Sequence, residues 1–104
     1  MRKIDNIIFN LNDKIKRMFS DFKGVYLYGS YAKNNAKEDS DVDIVALFEN
    51  ELSRDKRMDL WGVVGNLEAE MDIVFDLHPM TMENLKKNPI YYEQVVDKGV
   101  YYGV

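Results

Sequence analysis

Apolar side chains recur at helical spacing along the first part of the chain. The stripe consists of Ile4, Ile7, Ile8, Leu11, Ile15, Met18, Phe19 and Phe22. Such a stripe is typical of an amphipathic helix that packs one face on a core, here over about residues 2–21. We expect Gly24 to end this helix, because glycine commonly occupies the position just past a helix end.

Two short apolar runs follow, separated by a polar stretch. Val25–Tyr28 predicts a strand, and Gly29 and Ser30 predict a turn out of it, with a short helix beginning near Ser30. Residues 34–40 are polar and predict a loop. Residues 41–48 alternate at first and then become continuously apolar, which is typical of a central strand.

The remaining pattern predicts one more long helix, one more strand and two short helices. Apolar spacing favours a helix over about 53–69 and a strand over 71–78. Thr81 is suited to cap a short helix. Asn88-Pro89 resembles a cap followed by proline at the first helical position, and this last helix would stop at Gly99.

This order of elements predicts an α+β fold, a small mixed β-sheet with helices packed on one face. The 104 residues make one domain over 1–104, large enough for a modest core. Cysteine is absent, which excludes disulfides and thiolate metal sites. No apolar run approaches the ~20 residues of a membrane helix, and no signal-peptide core is visible, so we expect a cytoplasmic protein without membrane contact.

The net charge of −4 argues against direct nucleic-acid binding. Binding of that kind depends on a basic surface that neutralises phosphates. The basic residues form only two small groups with aspartates nearby: Lys14, Lys16 and Arg17, then Arg54, Lys56 and Arg57. A small molecule or another protein is the better candidate partner.

Asp41 and Asp43 are the first candidate site residues. On a strand they would project from the same face, about 6.5 Å apart along the chain. Two carboxylates this close raise the pKa of at least one of them. A divalent cation removes that repulsion, and magnesium prefers oxygen ligands. The alternative is a solvated acidic junction without any ligand.

Gly29, Ser30 and Lys33 are the candidate phosphate-binding residues. Glycine lets the backbone approach a ligand closely. A helix beginning at Ser30 would direct free N–H groups at an anion, and Lys33 would add a positive charge one helical turn later. The alternative is a simple turn at Gly29 with Ser30 as a helix cap.

Gly29-Ser30 followed ten residues later by Ser40-Asp41-Val42-Asp43 resembles the signature of the DNA polymerase β-like nucleotidyltransferase superfamily. The small size of the chain is similar to the minimal nucleotidyltransferases, MNT-type antitoxins paired with HEPN toxins. The resemblance implies that Asp41 and Asp43 bind Mg²⁺. It also implies a third carboxylate on a neighbouring strand that helps to hold the metal and acts as general base. We expect this to be Asp76 rather than Asp72.

The activity implied by the resemblance is transfer of a nucleoside monophosphate from a triphosphate, with ATP the expected donor, to a hydroxyl acceptor. A tyrosine of a HEPN-type toxin is the acceptor that the antitoxin resemblance suggests. The alternative is a non-catalytic antitoxin or nucleotide-sensing module that acts by protein contact. A small-molecule modifier would need a dimer to complete its acceptor pocket, which leaves a homo-oligomer open.

We expect structural roles for the single histidine and for the tyrosines near the C-terminus. His78 shares a predicted face with Asp76, but a lone histidine near a strand end is more often structural. Aromatic residues near a terminus more often pack in a core or at an interface than bind nucleotides. The residues concerned are Tyr91, Tyr92, Tyr101 and Tyr102.

Overall fold

The computed structural model describes residues 2–37 and 40–104. The helices are α1 (Lys3–Met18), α2 (Arg54–Met71), α3 (Met82–Lys86) and α4 (Pro89–Tyr92), and α4 continues into a π-helical segment, Glu93–Asp97. The strands are β1 (Phe22–Tyr28), β2 (Val42–Phe48), β3 (Phe75–Met80) and β4 (Val100–Gly103).

The strands form one mixed sheet in the order β3-β2-β1-β4. β1 pairs antiparallel with both β2 and β4, and β2 pairs parallel with β3. The predicted α+β fold with a mixed sheet is therefore confirmed. Among the described residues, no helix has the length and apolar character needed to cross a membrane.

One face of the sheet carries the main core, which α1 and α2 cover. Alternate strand residues point toward these helices, because side chains alternate between the two faces of a sheet. The core includes Ile4, Ile7, Ile8, Leu11 and Ile15 of α1, Leu60, Val64 and Leu67 of α2, and Val25, Leu27, Val42, Ile44, Ala46, Phe48, Phe75 and Leu77 of the sheet.

The opposite face holds a smaller cluster around Val45, Leu85 and Val95, all fully buried. α3, α4 and the π-helical segment supply its outer layer through residues such as Met82, Tyr91 and Val96. The expected packing of helices on one face thus holds for the two long helices. The short C-terminal helices lie on the other face, where they leave part of the sheet open.

Gly24 does not end α1, so that prediction was wrong. The helix stops at Met18, and Gly24 lies inside β1 at an irregularity of its pairing with β2. Its φ of +118° suits glycine, and a Cβ there would lie 3.1 Å from Cα of Gly103 and closer still to the Tyr102 carbonyl oxygen. Glycine is required here by the close approach of β4.

The apolar pattern did not predict β4, which pairs Val25 with Tyr102 and Leu27 with Val100. Four residues are too few for a periodic signal. Asn12 of α1 holds this strand in place, since its buried Nδ2 donates hydrogen bonds to the carbonyls of Tyr102 at 3.0 Å and Gly103 at 3.3 Å. A polar residue in the helix thus pins the end of the chain to the core.

The boundary between α2 and β3 also differs from the prediction. α2 continues to Met71, Asp72 caps it in the left-handed region at φ 52°, and β3 begins only at Phe75. The predicted caps Thr81 and Asn88 are confirmed, since each accepts a hydrogen bond from a backbone N–H of the helix that follows. Ser53, which was not predicted as a cap, does the same for α2.

The polar stretch between β1 and β2 agrees with the predicted loop in its described residues, 34–37 and 40, where neither helix nor strand is present. Glu38 and Asp39 lie outside the described residues. The short helix expected from Ser30 is replaced by consecutive turns over residues 29–34.

Candidate functional site

Asp43 and Asp76 stand side by side on adjacent strands. The parallel register of β2 and β3 pairs these two residues directly. Both point to the face opposite α1 and α2, since their neighbours Ile44 and Leu77 are buried in the main core. Asp43 is half-buried, whereas the Asp76 side chain is 51% exposed. The fold thus places a pair of carboxylates from two strands on the less covered face.

Burial raises the pKa of the Asp43 carboxyl, and the charge of Asp76, its contact with Asp76 and the charge of Asp41 raise it further. Asp41 is exposed and directly precedes β2. The predicted repulsion between neighbouring carboxylates is therefore present, and it is strongest across the strands, between Asp43 and Asp76. Such crowding favours a proton or a cation between the two groups.

Gly29 closes the site from the side of β1. It follows Tyr28, whose partner across the sheet is Asp43. Gly29 has a φ of +72°, and a Cβ there would lie 3.1 Å from Cγ of Asp43 and would overlap its Oδ2. Only glycine allows this approach, so the backbone of the turn touches the carboxylate directly.

The turn after Gly29 is closed by its own backbone. The amide of Lys33 donates to the Gly29 carbonyl at 3.2 Å, and the amide of Asn35 donates to the Ser30 carbonyl at 2.8 Å. Ser30 lies at the start of the turn, and Lys33 is exposed. The anion site predicted at a helix N-terminus therefore has to be built from a turn instead of a helix.

The structure separates the two candidates for the third carboxylate. Asp76 pairs with Asp43. Asp72 instead caps α2 and lines a different cleft, together with Lys3, Ile4 and Tyr31. The sequence prediction put both residues on one strand, and it missed that α2 extends to Met71.

Tyr28 and Tyr91 form a hydroxyl pair beside the carboxylates. Their hydroxyl oxygens are 2.8 Å apart, and the rings meet edge to face with centroids 5.7 Å apart. Burial raises the pKa of both tyrosines, and the charges of Asp43 and Asp76 add to this rise. Sequence reasoning had left Tyr91 out of the site, because nothing local links it to residues so far along the chain.

His78 lies on the same face as Asp76, as predicted. Its Nε2 is 3.0 Å from Oδ1 of Asp76, and the histidine side chain is 53% exposed. This contact orients the Asp76 carboxylate.

The chemistry of these donors fits a magnesium ion. Carboxylate oxygens from two strands meet where like charge raises the pKa of Asp43, and magnesium takes one or two carboxylates together with substrate phosphates. Within residues 2–37 and 40–104, no three acidic, histidine or cysteine side chains are already gathered as a complete metal site. The substrate phosphates would therefore have to supply part of the coordination.

Comparison with known families gives a match over most of the chain. A family model described as polymerase beta, nucleotidyltransferase matches residues 10–98. This range contains every candidate site residue. No curated protein matches the chain.

Several solved structures share the fold. A chain of a toxin-antitoxin complex solved with AMP-PNP is 26% identical, with a TM-score of 0.67, covering 95% of this chain and 73% of that one. A chain from the complex of a tri-AMPylated Shewanella oneidensis HEPN toxin with an MNT antitoxin is 20% identical, with a TM-score of 0.61, and the coverage is 96% and 72%.

A third solved structure also has a fold similar to that of this chain. A protein described as a nucleotidyltransferase from Sulfolobus solfataricus is 21% identical, with a TM-score of 0.54, covering 93% of this chain and 77% of that one. At this identity, as for the Shewanella complex, the likeness shows the fold alone. The first complex and the family match together agree with the minimal nucleotidyltransferase that the sequence resembles.

Proposed function

Since this chain belongs to the polymerase β nucleotidyltransferase family, we propose that it transfers AMP from ATP to a hydroxyl group of a protein partner. The observation that carries the proposal is the direct pairing of Asp43 with Asp76 against the Gly29 backbone. The nucleotide is supported by the similar complex solved with AMP-PNP. The partner class is supported by the similar fold found with an AMPylated HEPN toxin.

Asp41, Asp43 and Asp76 would hold magnesium, and the Gly29 backbone, the Ser30 hydroxyl and Lys33 would contact the phosphates. The ion, when bound, would neutralise phosphate charge and stabilise the departing pyrophosphate. The exposure of Asp41 and Lys33 leaves both side chains free to turn toward a nucleotide.

The reaction forms a bond between the acceptor oxygen and the α-phosphorus and breaks the bond from that phosphorus to the bridging oxygen. Pyrophosphate leaves, and the acceptor proton passes to a base. Asp76 would be this base, because it is the more exposed of the paired carboxylates and His78 orients one of its oxygens. A tyrosine of a HEPN-type partner is the acceptor we propose.

The direct test mixes the chain with ATP, Mg²⁺ and a HEPN-domain protein with which it co-purifies, and follows that partner by mass spectrometry. We expect a mass increase of one or more AMP groups, mapped to tyrosine. Asp43→Asn should remove this increase, and Asp59→Asn, at an exposed position of α2, should not. An unmodified partner under all these conditions would refute the transfer.

The same experiment separates the enzyme from an antitoxin that acts by contact alone. If Asp43→Asn still binds the partner but no longer neutralises its toxicity, neutralisation depends on catalysis. If neutralisation is unchanged, the chain acts as a binding module.

A further inference from the structure

An open cleft of about 620 Å³ lies beside the carboxylate pair at the β3 edge of the sheet. Two of its lining residues adjoin the pair: Tyr28 is the cross-sheet partner of Asp43, and His78 contacts Asp76. The cleft runs from Tyr28 and His78 past the end of β3 to Arg57 and Trp61 of α2, and α4 closes it through Tyr91. Gly29, Ser30 and Lys33 do not line it. The cleft is therefore separate from the proposed phosphate-binding turn.

The walls of the cleft are aromatic. Trp61 is the only tryptophan of the chain, and it remains 43% exposed although it is the largest side chain of α2. Tyr91 and Tyr28 stand across the cleft with their hydroxyls bonded to each other. A planar aromatic group can stack between such walls with a polar end directed at Asp76.

Arg57 supplies the charge at the mouth of the cleft. It is exposed, and in the part of the chain that the structure describes it makes no ion pair. A free guanidinium beside an aromatic wall is suited to bind a carboxylate of an incoming segment.

The free edge of β3 is protected against pairing with another strand. The Val74 carbonyl binds β2 through the amide of Val42, so the amide of Phe75 faces outward, where the Glu68 carboxylate accepts its hydrogen bond at 2.8 Å. Pro79 has no amide hydrogen to offer. A partner must therefore enter the cleft with its side chains, without extending the sheet.

We propose that this cleft is the acceptor site, and that it takes a tyrosine side chain from a partner segment with acidic residues next to the tyrosine. The ring would stack on Trp61, a neighbouring carboxylate would pair with Arg57, and the hydroxyl would reach Asp76. The proposal rests on the proposed function for the identity of the reaction, but the binding it predicts does not require catalysis.

Trp61 fluorescence tests the proposal without turnover. In the absence of ATP, we expect a synthetic peptide with one tyrosine between glutamates, and no tryptophan, to change the Trp61 emission in a saturable way. The same peptide with lysines in place of glutamates should bind at least about tenfold more weakly. Mg²⁺ and ATP without peptide should leave the emission unchanged.

Variants identify the contacts. In anisotropy measurements with the labelled peptide, Trp61→Ala and Arg57→Ala should each weaken binding by about tenfold or more, the size expected of a central interface residue. Met58→Ala and Lys56→Ala are the controls. Both residues are exposed on α2 but do not line the cleft, and their replacement should leave the affinity unchanged.

Three results would overturn the proposal. The first is an emission that does not respond to the peptide, and the second is equal binding by the Trp61→Ala variant. The third is quenching by Mg²⁺ and ATP alone, which would assign the cleft to the nucleobase. Failure of the proposed function looks different, because peptide binding would persist while no AMP is transferred to any acceptor.

Discussion

The face of the sheet that α1 and α2 cover is almost entirely apolar, whereas the opposite face carries Asp43, Asp76 and His78 beside a small cluster around Val45. The first face supplies most of the buried apolar area, which is the main favourable term in folding. The second face brings like charges together, which folding alone would avoid. Stability is concentrated on one side of the sheet so that the other side can hold reactive groups.

We expect the largest effect on stability in the main core, on the face of the sheet that α1 and α2 cover. Ile8→Ala removes a side chain with no solvent exposure and should lower the free energy of unfolding by about 2–5 kcal/mol. The matched change Ile90→Ala, at a residue 77% exposed on α4, should stay within about 0.5 kcal/mol. Chemical denaturation measures both. Equal losses of unfolding free energy in the two variants would contradict the concentration of stability on the face that α1 and α2 cover.

Asp43→Asn, on the opposite face of the sheet, should lower the activity while raising the stability. Transfer of AMP should fall by about 100-fold or more, because contacts to a catalytic metal are worth several kcal/mol. The melting temperature should rise, since the charge that Asp76 and Asp41 repel is removed. Asp59→Asn serves as the control. A clear loss of stability in Asp43→Asn would show that this carboxylate supports the fold.

The same change, glycine to alanine, should have opposite effects on stability beside the carboxylates, at Gly29, and in the helix α2, at Gly62. Gly29→Ala should destabilise the chain by about 1–3 kcal/mol, because φ is +72° and the new Cβ would overlap the Asp43 carboxylate. Gly62→Ala, in α2 with nothing within 4 Å of the new Cβ, should stabilise it by about 0.5–1 kcal/mol. Thermal melts of both variants test this, and a harmless Gly29→Ala would contradict the tight turn.

The smallest expected effect on stability concerns a polar contact between α1 and β4, at the border of the main core. The hydroxyl of Tyr102 donates to Oδ1 of Asp5 at 2.5 Å and lowers the pKa of Asp5 below 3.8. The resulting stability is present above pH 3.8 and is lost as pH falls through the lowered pKa. Burial raises the pKa of Tyr102 above 10.0, with the bond to Asp5 adding to it, so this contribution is lost as pH rises through that higher value.

The stability difference between wild type and Tyr102→Phe should therefore be largest between about pH 5 and 9 and should shrink on both sides. Tyr101→Phe is the matched control, because the Tyr101 hydroxyl donates to the backbone carbonyl of Lys23, which does not titrate. Its effect should stay constant below pH 7. Urea denaturation at several pH values measures both differences.

Local sequence predicted the parts of the fold that depend on periodicity and capping. The stripe from Ile4 to Ile15 is buried in α1, and Thr81 and Asn88 cap helices as expected. The predictions failed where a distant segment decides the conformation. Gly24 serves the close approach of β4 and does not end a helix, and β4 itself depends on Asn12 and β1.

By itself, the sequence determined the α+β class, the family resemblance and the acidic and small residues that we propose as the nucleotidyl transfer site. These follow from short-range spacing and residue chemistry. The sequence favoured Asp76 over Asp72, but only the tertiary structure shows that Asp76 pairs directly with Asp43 and that Tyr91 and Trp61 line one cleft. Strand register and helix length set those neighbours, and both depend on packing between segments far apart in the chain.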